Sequence, residues 1–144
     1  MAISCRVTRG DLTESIHVAF AVAVDKNGQI FFSSGDPNYL TCIRSSLKPF
    51  QAAASIKAGA VDSVKFSDEE IALMCASHQG EQIHTDKVFS MLQKLDLNIE
   101  DYECGAHAPS DKKTRYSLVK ASKFASSIHN NCSGKHAGML ALAK

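Results

Sequence analysis

The chain has 144 residues, 44% of them hydrophobic and 22% charged, with a net charge of +1. That length fits one domain with a real core, and the composition is that of an ordinary globular protein. No basic face or tail is visible, which argues against nucleic acid or anionic lipid as a partner.

The opening stretch, MAISCRVTRGDLTES, lacks the basic-then-apolar layout of a signal peptide. The most apolar run, Ile16 to Val24, contains His17 and is too short to span a bilayer. A cytoplasmic protein with no membrane partner is therefore expected. Arg9-Gly10-Asp11 reads as a turn at a strand end. Ile16 to Val24 alternates loosely and predicts a strand, and Gln29 to Ser34 predicts its return. Between them Asn27-Gly28 suits a type I′ turn, because both residues tolerate positive φ. Two strands make no stable sheet alone, so either Ile3 to Arg9 joins them or further strands lie outside this sequence.

Helices are predicted after Pro37. Lys48 to Lys57 is rich in alanine, with Pro49 tolerable in a first turn. Ser67 to Glu70 spells a capping box ahead of Ile71 to Ala76. His84 to Leu95 puts Val88, Met91, Leu92 and Leu95 on one stripe. Lys112 to Ala125 predicts a weaker helix and Gly134 to Lys144 a final one, cut off in mid-pattern. Hairpin followed by helices reads as α+β. The five cysteines are odd in number and include no C-x-x-C, which argues against a disulfide framework. Cys5, Cys42 and Cys75 are read as small buried hydrophobes.

Four segments carry chemistry. In Arg44-Ser45-Ser46-Leu47-Lys48, serine and lysine three apart face one side of a helix start. A serine hydroxyl needs a base, and a lysine serves if its surroundings favour the neutral amine. The helix dipole there also favours a developing oxyanion. This is the S-x-x-K arrangement of penicillin-recognising enzymes, although any serine three residues before a lysine matches it. Met74 to Glu81 offers a second hydroxyl, Ser77, able to relay protons; the plainer alternative is a helix C-cap with Gly80 left-handed. Ile128 to Gly138 is a polar loop feeding a helix N-terminus, suited to an anion. There Cys132 with Lys135 or His136 begins a metal site without completing one. Cys104 to Pro109 reads as a turn whose Cys104 and His107 are ligands or bystanders.

Together, TRGDLTESIH, SSGDPNYLTCIRSSLKPFQA, ALMCASHQGEQIH, CGAHAP and IHNNCSGKHAGMLALAK resemble the rhizobial-type L-asparaginases, the asparaginase II family, from Val7 to the last residue. The last segment is the most specific. The resemblance implies a serine β-lactamase-like fold, with residues 1–144 a single domain and the N-terminal portion of an asparaginase II-type domain. It implies hydrolysis of L-asparagine to L-aspartate and ammonia through a Ser–Lys acyl-enzyme. Ser45 matches the family's nucleophile, Lys48 its paired lysine and Ser77 the second serine of the site. Cys132 and Lys135 match two members of a zinc site. Arg44 is the candidate for gripping the substrate carboxylate. Family members are more than twice this long, and their later part brings another zinc-ligand cysteine and a second catalytic lysine. A C-terminal half, or a homo-oligomer, is therefore expected to complete the site. A glutaminase, another serine β-lactamase-like hydrolase and a non-catalytic fragment are the alternatives.

Overall fold

In the computed structural model, which describes residues 2–144, the strand-rich N-terminal third forms two hairpins rather than one sheet. β1 (Ile3–Arg9) pairs antiparallel with β2 (Leu12–Ala19), from Ile3 opposite Ala19 to Arg9 opposite Leu12, with a bulge after Val7. Gly10, at φ +59°, makes the turn that Arg9-Gly10-Asp11 predicts. β3 (Ala21–Val24) pairs with β4 (Ile30–Ser34). The strand expected over Ile16 to Val24 thus breaks at Phe20. That ring stacks on Tyr39 at 4.5 Å between centroids. It also lies over left-handed Gly35, where a Cβ would sit 2.2 Å from Phe20 Cδ1. Ile3–Arg9 joins β2 and leaves β3 and β4 as a separate pair.

The turn between β3 and β4 is not type I′. Gly28 has φ +81°, but Asn27 is not among the positive-φ residues. Gly28 N donates to Asp25 O, and the Asp25 carboxylate accepts from the backbone of Asn27 and Gln29. An Asx-type bond therefore closes an ordinary turn, and the left-handed glycine follows it.

The chain divides into two compact units, one ending at Cys42 and the other spanning Ile43–Lys144. No residue from 2 to 42 is buried. Cys5 and Cys42 are accordingly exposed, not buried as the sequence suggests, and Cys75 is half-buried. All five cysteines are free.

The second unit holds six α-helices: α1 (Lys48–Lys57), α2 (Ala60–Ser63), α3 (Asp68–Cys75), α4 (Gln82–Lys94), α5 (Lys112–Lys120) and α6 (Ser133–Ala143). Its core gathers Ala52, Leu73, Met74, Val88, Met91, Leu92, Leu95, Tyr102 and Ala137, so the predicted α4 stripe faces inward. The capping box opens α3: Ser67 Oγ accepts from Glu70 N and the Glu70 carboxylate accepts from Ser67 N. Glu70 is buried and also accepts from Ser90 Oγ and from Lys94 Nζ at 2.6 Å. Burial pushes its carboxyl up, but the bonds from Lys94, Ser67 and Ser90 outweigh that and hold it below the usual range. α5 is shorter than the predicted Lys112 to Ala125: it stops at Lys120, and Ser122 turns left-handed at φ +52°. None of its residues is buried, so no packing extends it beyond its own propensity.

α6 lies against α1 and α3. The approach is close because Gly134 and Gly138 lack side chains: a Cβ at Gly134 would sit 2.6 Å from Leu73 O, and one at Gly138 2.4 Å from Met74 Cε. Ser55 Oγ donates to Gly138 O and Tyr102 Oη to Ser133 O, pinning α6 in place. Among the described residues no helix is long and apolar enough to cross a membrane.

Candidate active site

Ser45 sits in a single 3₁₀ turn, Arg44–Leu47, that runs directly into α1, with Lys48 N donating to Ser45 O. Arg44 enters this turn at φ +50°. A left-handed non-glycine residue costs about 1–2 kcal/mol, and such strain clusters at functional sites. The helical path brings Ser45 and Lys48 to one cavity of about 320 Å³, shared with Arg44, Gln51, Cys132 and Lys135. Of the residues singled out in the sequence, Arg44, Ser45, Lys48, Cys132 and Lys135 therefore meet around one hollow. Arg44 brings a permanent positive charge and none of the lining residues is a carboxylate, so the hollow suits an anionic group.

Ser77 reaches them through Lys48. That lysine is 2% exposed. Its Nζ donates to Ala76 O at 2.6 Å and to Ser77 Oγ at 2.8 Å. Among the described residues no carboxylate forms an ion pair with it. Ser77 borders a second, larger cavity of about 790 Å³, together with Leu73, Gln79, Glu81, Ile83 and His84.

Local structure explains why Ser77 is held there. α3 ends at Cys75 and Ala76 is extended, so Met74 to Glu81 leaves the helix early. Gly80 is left-handed at φ +77° but lies past the helix end, not at its cap. His78 anchors the departing segment. Its N donates to Asn131 O, and its Nδ1 accepts from Gly80 N at 3.2 Å. Ser133 Oγ donates to Ile128 O, so the 2.8 Å contact with His78 Nε2 leaves the imidazole as donor. Burial, and after it the charges of His84 and Lys48, holds His78 down to about 4. It is thus neutral at ordinary pH. Neither His78 nor Ser133 stands out in the sequence, where each is one polar residue among several. The Gly134-x-x-x-Gly138 spacing is the one signal in the sequence that α6 packs closely against a neighbour.

The predicted loop before α6 exists. Residues 129–132 lead into Ser133, with Asn130 Oδ1 accepting from Cys132 N and Asn130 Nδ2 donating to Gly105 O. Cys104 to Pro109 is irregular rather than a tight turn, and His107 Nε2 accepts from Asn131 N at 3.2 Å. Three loops therefore brace one another behind the Ser77 segment. Cys132 and Lys135, the expected zinc donors, line the same cavity. Burial, followed by the charge of Cys132, pushes the Cys104 thiol up, away from the thiolate a metal needs. Among the described residues no three His, Cys, Asp or Glu side chains group to hold a metal ion.

The family model described as L-asparaginase II matches residues 5–144. No curated protein matches the chain.

Proposed function

The chain belongs to the L-asparaginase II family, and on that ground we propose that it hydrolyses L-asparagine to L-aspartate and ammonia, with Ser45 as nucleophile and Lys48 as its base. The observation that carries this reading is the buried Lys48 amine, one turn after Ser45, bonded at 2.8 Å to a second serine. As a neutral amine Lys48 has two hydrogens, matched by Ala76 O and Ser77 Oγ, and a lone pair left for the Ser45 proton.

In the proposed sequence Lys48 takes the Ser45 proton and Ser45 Oγ bonds to the side-chain carboxamide carbon. Backbone N–H groups at the helix start hold the oxyanion. The proton returns through Ser77 to the nitrogen as the C–N bond breaks, releasing ammonia. Water then cleaves the ester, freeing aspartate and restoring the Ser45 hydroxyl. Arg44 faces the same cavity and grips the α-carboxylate. The S-x-x-K turn opening a helix after a strand-rich segment supports a serine β-lactamase-like fold. Cys132 and Lys135 are the proposed donors for zinc; they supply two of the four ligands of a structural site, so no step is routed through it.

Ammonia release from L-asparagine by the chain and by Ser45→Ala tests the reading. With the site completed by a homo-oligomer or a C-terminal half, the expected result is release by the parent and a fall of about 10³-fold or more in the variant, the scale of losing a nucleophile. Equal, measurable release by the two would remove Ser45 from the mechanism.

A further inference from the structure

We propose that the site takes a secondary amide of the asparagine side chain, one whose amide nitrogen carries a bulky substituent, in preference to asparagine alone. This rests on the Ser45–Lys48 reading and names its substrate class. The two cavities differ in size and in chemistry, and the Lys48–Ser77 hydrogen bond joins a residue of one to a residue of the other. The smaller, with Arg44 and no carboxylate, suits the acyl half and its α-carboxylate.

The leaving nitrogen receives its proton on the Ser77 side, and Ser77 borders the larger cavity. Whatever that nitrogen carries therefore extends there. Ammonia, close to a water molecule in size at ~30 Å³, fills a small fraction of about 790 Å³. The lining suits something larger: Leu73 and Ile83 offer apolar surface for a ring or alkyl chain, between the charged Glu69, Glu81 and Lys87. The reaction balances as for asparagine. The Ser45 Oγ–C bond forms, the C–N bond breaks, the serine proton ends on the amine, and water then releases aspartate.

The test compares L-asparagine with N4-benzyl-L-asparagine on the full chain, by calorimetric binding and by release of ammonia or benzylamine. The benzyl compound is expected to bind about tenfold tighter, the scale of a filled apolar subsite, and to release benzylamine. Ile83 is 71% exposed in the first turn of α4, so Ile83→Trp narrows the cavity without disturbing the core. It is expected to erase the tenfold gain and leave asparagine binding unchanged. A benzyl compound that binds no tighter than asparagine, or an Ile83→Trp effect equal on both, overturns the inference. Asparagine turnover without benzyl preference overturns it alone and leaves the Ser45 reading standing. Tight benzyl binding without turnover of either compound supports the subsite and overturns the Ser45 chemistry. Binding of neither overturns both.

Discussion

Lys48 and His78 show how burial sets the work of single side chains around this site. The lysine is buried against two oxygens, and the adjoining His78 is buried as a neutral donor to Ser133. In the unfolded chain an imidazole titrates near 6.5, whereas folded His78 titrates at about 4. Above pH 6.5 neither state is protonated and nothing is lost. Between 6.5 and about 4 only the unfolded state binds the proton, so stability falls as pH falls, by roughly 3 kcal/mol over the whole window. Burial lowers His129 and His136 in the same direction. Urea midpoints measured from pH 7 to pH 4 are expected to fall steadily in the parent. His78→Asn keeps an acceptor for Gly80 N and removes the titration, so its midpoint should fall less over the same window. An unchanged slope would place the acid sensitivity in the other histidines.

At the scale of elements, the contact between α6 and α3 decides where Cys132 and Lys135 stand relative to Lys48. Gly134 meets backbone, Leu73 O, which has nowhere to go. Gly138 meets the end of the flexible Met74 side chain. Gly134→Ala is therefore expected to cost about 2–3 kcal/mol through overpacking. For Gly138→Ala the cost falls below about 1 kcal/mol, since a methionine can repack and alanine favours the helix. Thermal melts of the two variants check the order; equal losses would mean that the backbone at Leu73 yields as easily as a side chain. The sequence carried this contact only as two glycines four apart. The elements themselves were easier to read. The capping box at Ser67 and the α4 stripe are local patterns within a few residues, and both formed as expected. The Asn27-Gly28 turn misled because Asp25 offered the backbone a competing set of hydrogen bonds.

Across the whole molecule the two units differ in what holds them. The Ile43–Lys144 unit has a buried core, whereas no residue from 2 to 42 is buried and Leu12, Ile16 and Phe31 are all exposed. Two-stranded hairpins are marginal by themselves in water. Native-state hydrogen exchange is therefore expected to rank the strand amides of β1–β4 well below those of α4, by at least about a hundredfold in protection. Comparable protection in both units would mean that the hairpins gain stability from burial absent in this arrangement.

By itself the sequence determined the pieces: the hairpin-then-helix order, the helix capped at Ser67, the S-x-x-K pair and the family to which those segments belong. The capped helix and the S-x-x-K pair depend on residues within one or two turns of one another, and the order and the family on such local segments strung along the whole chain. Only the tertiary structure decided that Lys48 bonds to Ser77, 29 residues away, that His78 is a buried neutral brace, and that two cavities of unequal size flank the serines. Those facts depend on how closely α6 approaches α3 and on where the chain leaves α3. Both are set by long-range packing, which leaves little periodic trace in the chain.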